Sequence, residues 1–379
     1  MLTFFKNFLL FIIVSAGLIY FTGDKVSKTG DPSLPVSVQG TPKDFKKAER
    51  AEILIIGSGL AEYITPQIER IGNKYSDTFK GGLKVYNWAR KDEGIHRTLQ
   101  KWRSLKTKPL ITIYLGGDSE FVETKFKVSD ISKVQQNINR LKDPKISTIL
   151  SFAPQLQRFL LEPLNTFSYQ ASLTPTKDFP LKNLKGIKAL KYIEFNLKLY
   201  RYLLGKLMRE IRESDKNIIL IDQPYEVTTP PNKTCEPSKS ETITETLFEI
   251  KDLEKKGKDQ EALRLSRRLS EKALGNAEVF FQRAQLEQKD QNYNAAFQLY
   301  ELARIFDCEQ DTSTKATNGI IEQVAENYGH PFIGFYKKVS MDFGKAPLFT
   351  DGFIPQEKYI SSLSNKIESI IDDIVTSME

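Results

Sequence analysis

Short apolar runs that end in glycine, each followed by a helical pattern, constrain this chain more than any other feature. Glu52 to Ile56 (EILII) is stopped by Gly57-Ser58-Gly59, after which Leu60, Tyr63, Ile64 and Ile68 fall at helical spacing. A second strand is predicted at Leu83 to Tyr86, with a helix from Ile95 to Leu105. A third is predicted at Pro109 to Leu115, ending in Gly116-Gly117-Asp118. Further strands are predicted at Ile218 to Ile221 and Pro331 to Phe335, each behind a long helical pattern. One of those patterns, Tyr192 to Arg212, mixes aromatic and basic residues; its apolar spacing is that of a helix covering a core rather than one lying on a membrane. Strands this apolar must bury both faces, so alternation with helices predicts an α/β fold with a parallel sheet covered on both sides.

The remaining composition narrows the function classes. At 379 residues the chain has room for two or three domains. Lys plus Arg number 55 against 48 Asp plus Glu, spread along the chain without an arginine-rich arm, which argues against a nucleic-acid partner. Two His and two Cys are too few for a zinc module or a disulfide scaffold, and no metal site is expected. Gly57-Ser58-Gly59 completes neither a dinucleotide fingerprint nor a P-loop, and no cofactor is expected.

The amino terminus sets a different expectation. Residues 8–21 (FLLFIIVSAGLIYF) hold no charge, and with Leu2, Phe4 and Phe5 the apolar segment approaches the length of a bilayer span. No A-x-A site or lipobox cysteine follows. Residues 1–22 therefore read as an uncleaved single-pass anchor, with a cleaved signal as the alternative. Lys6 on one side and Lys25 and Lys28 on the other leave orientation open; the body is expected outside the cytoplasm. Residues 23–48, rich in Gly, Pro, Ser and Lys, read as a tether.

Residues 49–223 and 309–379 form the predicted α/β body, and residues 224–308 interrupt it. The interruption opens with a proline-rich loop and continues as charged, alanine-punctuated helices. Setting Ala262 over Ala296, an offset of 34, superimposes Leu263 on Phe297 and Leu265 on Leu299. The second copy carries Phe280, Ala284, Ala296, Tyr300 and Ala303. Small residues at those points allow two antiparallel helices to approach closely, and the pattern resembles tetratricopeptide repeats. Two units are few for a free solenoid, so the insert is expected to lean on the body and to offer a surface for a protein partner. Cys235 and Cys308 bracket it; they either pair, closing a loop of about 70 residues, or are unrelated thiols.

Four segments at the strand ends carry a further resemblance. Ile53 to Ala61 (ILIIGSGLA) resembles the first block of SGNH/GDSL hydrolases, in which a strand ends in Gly-Asp-Ser-Leu and the Ser is the nucleophile. Val85 to Gly94 (VYNWARKDEG) resembles the second, Asn-x-Gly-x-x-Gly, whose last Gly donates a backbone N–H to the oxyanion. Leu115 to Phe121 (LGGDSEF) resembles the third, Gly-x-Asn-Asp, whose Asn is another oxyanion donor. Leu348 to Tyr359 (LFTDGFIPQEKY) resembles the last, Asp-x-x-His-Pro, which supplies acid and base. Their order agrees with the family's. The resemblance implies a flavodoxin-like parallel sheet with helices on both faces, and hydrolysis or transfer of acyl groups, with envelope glycan as a possible ligand.

The departures from those blocks bear on the chemistry. Ser58 takes the family's Asp position and Gly59 the nucleophile's, where there is no side chain to attack. Ala89 and Asp92 stand where glycines are expected, and a carboxylate beside a developing oxyanion repels it. Asp118 replaces the donor Asn, and an ionised Asp only accepts hydrogen bonds. Asp351 and Pro355 are kept, but Ile354 takes the base position. Without nucleophile, donors and base, the expected protein is a pseudoenzyme that binds or scaffolds. The alternative is a divergent esterase or O-acyltransferase using Ser58 with His96 and a strand-end carboxylate. His330 reads as a polar residue at the Gly329 turn. Gly117 to Phe121 resembles the diguanylate cyclase signature but is broken by Ser119.

Overall fold

A computed structural model describes residues 31–33, 40–121, 126, 128–153, 156–164, 184, 187–232, 234, 241–309, 314–351 and 354–378. The chain divides into two compact units: Met1–Val36 with Lys125–Gln170, and Ser37–Thr124 with Ala171–Glu379.

The second unit holds the sheet. Its first elements are α1 (Pro42–Glu49), β1 (Ile53–Gly57), α2 (Ala61–Asn73), β2 (Val85–Asn87), α3 (Ile95–Ser104) and β3 (Ile111–Leu115). The first unit then contributes α4 (Ile131–Lys142), α5 (Pro144–Phe152) and α6 (Gln157–Leu160). The second unit resumes with α7 (Ile187–Glu213), β4 (Asn217–Ile221), α8 (Glu241–Lys255), α9 (Asp259–Lys272), α10 (Ala277–Lys289) and α11 (Tyr293–Ile305). It ends with α12 (Lys315–Tyr328), β5 (Phe332–Ile333), α13 (Phe335–Ser340) and α14 (Glu357–Thr376).

All five strands pair in parallel in the order β2-β1-β3-β4-β5. Successive side chains alternate between faces. Odd-numbered positions Ile53, Ile55, Ile111, Ile113, Ile219 and Ile221 pack in one cluster with Ile64, Ile68 and Ile71 of α2 and Ile360, Leu363, Ile367 and Ile371 of α14. The even-numbered Leu54, Ile56, Ile218 and Leu220 are buried as well. On that face the Tyr114 hydroxyl meets that of Tyr200 on α7 at 3.1 Å. A two-sided core explains why the strands read as continuous apolar runs.

The order of pairing also places a crevice. The chain winds outward from β1 in both directions, so β1 and β3 flank the topological switch point, and ligand sites in this architecture gather at the strand carboxyl ends there.

Two features depart from the sequence expectations. The segment expected to tether through residue 48 is helical from Pro42, because Thr41 and Asp44 form a capping box around a proline in the first turn. Phe45 then packs edge-on to Trp88 at 5.0 Å, and Tyr86 donates to Asp44 at 2.7 Å. The second departure is the separate unit in the β3–β4 connection, which carries no signal in strand periodicity. Among the described residues no helix is long and apolar enough to cross a membrane. The expected anchor, residues 1–22, lies outside them.

The interruption between β4 and β5 is helical, as expected, with α8 to α11 joined by connections of three or four residues. Ala284, Ala296 and Ala303 are buried with Phe280, Phe281 and Tyr300 where α10 meets α11. An aromatic and polar seam ties α11 to the sheet. Tyr225, past β4, stacks on Tyr336 of α13 with ring centres 4.7 Å apart, and the Tyr336 hydroxyl donates to Glu301 of α11 at 2.5 Å. Lys315 holds the other oxygen of Glu301 at 2.9 Å. Cys308 is disulfide-bonded, the chain has two cysteines, and Cys235 lies outside the described residues.

Candidate functional site

The first strand end is built by a glycine. Gly57 has φ +109°, and a Cβ there would stand 1.8 Å from the Leu115 carbonyl oxygen, so only glycine lets β1 turn this close to β3. The Ser58 N–H then donates to Leu115 O at 2.8 Å. This turn carries the Ser58 side chain into the protein, fully buried, while Gly59 remains half-exposed at the crevice.

Ser58 is enclosed by the neighbouring strand ends. The Nε2 of Gln223, immediately beyond β4, donates to Ser58 Oγ. The Asp118 carboxylate, beyond β3, faces the Ser58 hydroxyl and also accepts from Ser119 Oγ at 3.1 Å. Burial pushes Asp118 up to about 6; the Ser58 and Ser119 hydroxyls oppose the rise and the nearby Asp92 carboxylate adds to it. Gln223 is fixed by α12, where Asn318 donates to its carbonyl at 2.9 Å. Asp222, beside it, is pushed up to about 7 by burial, although the Tyr336 and Phe335 N–H groups favour its ionised form. Among the described residues no group of three His, Cys, Asp or Glu side chains is arranged to hold a metal.

The second-block loop is held from beneath. Lys101 on α3, wholly buried, pairs with the equally buried Glu93 and donates to the Trp88 carbonyl at 2.5 Å. Glu120 accepts from the Ile95 N–H at 3.2 Å, placing a carboxylate at the positive end of α3. Asp92, at a position where the SGNH block has glycine, adopts φ +59°. This conformation suits glycine, and aspartate tolerates it better than most residues.

The sequence-predicted residues are therefore partly brought together. Ser58 and Asp92 are both brought near Asp118, beyond the carboxyl ends of β1 and β3. A Cβ added at Gly59 would meet nothing closer than the backbone and Cβ of Lys91 at 3.6 Å, so Gly59 borders the Val85–Gly94 segment with space for a small side chain. Asp351, exposed, accepts from the Ile354 N–H at 3.0 Å and so shapes its own turn, closed by Thr350 N–H to Ile354 O at 2.8 Å. Leu348 and Phe349 anchor this turn in the cluster that contains Leu60 and Ala61. His96 is buried in the first turn of α3. Among the described residues the side-chain partners of Ser58 are Gln223 and Asp118, and the Ser58–His96 pairing of the shifted triad is not formed. His330 precedes β5, at the opposite end of the sheet from the crevice. Its N–H closes the Gly329 turn on Ala325 O at 3.0 Å, and burial lowers its pKa.

Sequence reasoning missed Gln223, Asn318, Glu120 and the Glu93–Lys101 pair. A polar Asp222-Gln223 directly after the strand IILI was the available signal for the first of these.

No known family profile and no curated protein matches the sequence. Solved structures do match. A GDSL-like lipase from Bacteroides thetaiotaomicron matches over 89% of this chain and 92% of its own, at 9% identity and TM-score 0.35. An acetylxylan esterase from Geobacillus stearothermophilus matches over 85% and 93%, at 12% identity and TM-score 0.31. An alpha/beta hydrolase from the metagenome of Lake Arreo, Spain, matches over 84% and 93%, at 11% identity and TM-score 0.33. The sheet of this chain is parallel in the order 2-1-3-4-5, and the four segments that resemble SGNH/GDSL blocks lie at its strand ends and before its last helix.

Proposed function

We propose that this chain is a membrane-anchored, SGNH/GDSL hydrolase-like protein of the cell envelope that no longer hydrolyses esters and acts as a binding or scaffolding module. The nucleophile position supports this reading most directly. Gly59 offers no attacking atom, and the adjacent Ser58 is closed to solvent, its oxygen engaged by Gln223 and its hydroxyl turned to a carboxylate. Acyl transfer by serine needs a base and donors aimed at the oxyanion; Asp92 and Asp118 put carboxylates where donors would stand. The four helices α8 to α11 are read as two tetratricopeptide-like units presenting a surface to a protein partner, and the crevice as a pocket for an envelope glycan. Residues 1–22 serve as the anchor, with the body outside the cytoplasm.

One observation favours a rival: Ser58 faces Asp118, whose raised pKa makes it a better proton acceptor than an ordinary carboxylate. In that reading the chain is a divergent esterase or O-acyltransferase. Hydrolysis of short-chain aryl esters by the chain and by Ser58→Ala separates the two. The proposal expects the same background rate for both. Turnover lost in Ser58→Ala establishes the enzyme and ends the scaffold reading.

A further inference from the structure

The first unit carries an apolar surface for which the core has no use. Ile149 and Phe152, three residues apart on α5 and so on one face of the helix, are 45% and 87% exposed, and Phe159 on α6 is 67% exposed. Single exposed apolar residues are ordinary, but three large ones within eleven residues of chain are not. Exposed Lys142 and Lys145 flank the start of α5. Pro32 and Ser33, which belong to the same unit, are buried. The uncharged run ending at Phe21 stops eleven residues before Pro32, so even a fully extended chain keeps that point within about 40 Å of the unit.

We propose that α5 and α6 rest on the surface of the bilayer that the amino-terminal segment enters. Ile149, Phe152 and Phe159 enter the boundary between headgroups and acyl chains, and Lys142 and Lys145 face anionic lipid headgroups. The proposal rests on the anchor reading of residues 1–22. A short lead holds the patch near lipid at high effective concentration, so three side chains suffice where they would bind weakly alone.

The test uses the full chain in vesicles of phosphatidylcholine and phosphatidylserine, 3:1, with brominated acyl chains. Trp88 and Trp102 are buried, so tryptophan placed by Phe152→Trp, or separately by Ile149→Trp, reports its own surroundings. Met341→Trp, at a side chain 66% exposed in the second unit, is the control. Flotation with the vesicles tests the anchor; quenching tests the surface. The expected result is flotation, with emission at 152 and 149 quenched at least twofold more than at 341. Flotation with equal quenching at all three positions overturns the proposal and leaves the anchor standing. A blue-shifted emission at 152 without lipid quenching assigns the patch to a protein or a second copy, and also overturns it. Failure to float removes the anchor reading and this proposal with it.

Discussion

Asp118→Asn should reverse the sign of its effect on stability between acid and alkaline pH. Burial raises this carboxyl from 3.8 to about 6 in the folded protein, against the pull of the Ser58 and Ser119 hydroxyls. A carboxyl raised by folding costs nothing below about pH 3, where it is protonated in both states. As pH rises the unfolded chain ionises first, and above about 6 the folded protein carries the whole penalty. Two pKa units at about 1.4 kcal/mol each give about 3 kcal/mol as an upper figure, since Asp118 keeps some contact with solvent. Asparagine removes that penalty but accepts the two hydroxyls less well, a loss of about 1 kcal/mol at any pH. The variant should therefore be less stable than the parent by about 1 kcal/mol at pH 3 and more stable by up to about 2 kcal/mol at pH 8. Urea unfolding of a chain starting at Asp31, at both pH values, measures the difference, and every other titrating group cancels between parent and variant. An equal difference at the two pH values would refute the placement of Asp118 as a buried, destabilised carboxylate.

The Lys101–Glu93 pair and the Tyr336 seam yield two more expectations. Lys101→Met leaves the Glu93 carboxylate buried without its partner and should cost about 3 to 5 kcal/mol in urea unfolding; adding Glu93→Gln should recover more than half, and no recovery would deny that the charge is the cause. Tyr336→Phe removes the hydroxyl that bonds Glu301 at 2.5 Å, a charge-assisted bond worth about 1.5 to 3 kcal/mol. Amides of α11 should then exchange about tenfold faster or more while those of β1 and β3 are unchanged; uniform acceleration would mean that the seam does not hold the insert as a separate element.

Much of the sheet was readable because every strand is buried on both faces. ILIIG and ITIYL are apolar without alternation, and the glycines after them mark turns that the backbone demands, as the close approach of Gly57 to Leu115 shows. Alanines at helix crossings were readable for the same steric reason. Charge and amide networks were not. Glu93 and Lys101 look like two more members of a charged chain until the fold buries both, and Gln223 meets Ser58 across 165 residues of sequence. The helix from Pro42 was masked by a lysine- and proline-rich composition, although Thr41-Pro42 with Asp44 is a start signal by physical criteria. At the site, what could be read was that Gly59 and Ile354 carry no nucleophile or base; that Ser58 would be sealed by Gln223 could not.

The proposal of an SGNH-type crevice without its reacting groups is tested most directly by a crystal structure of Gly59→Ser combined with Ile354→His. The space beside Lys91 admits the first substitution. The account predicts that the introduced hydroxyl and imidazole lie within hydrogen-bonding reach, about 3 Å, across the crevice between β1 and the turn before α14. Side chains separated by more than about 6 Å, too far for one water to bridge, would contradict it.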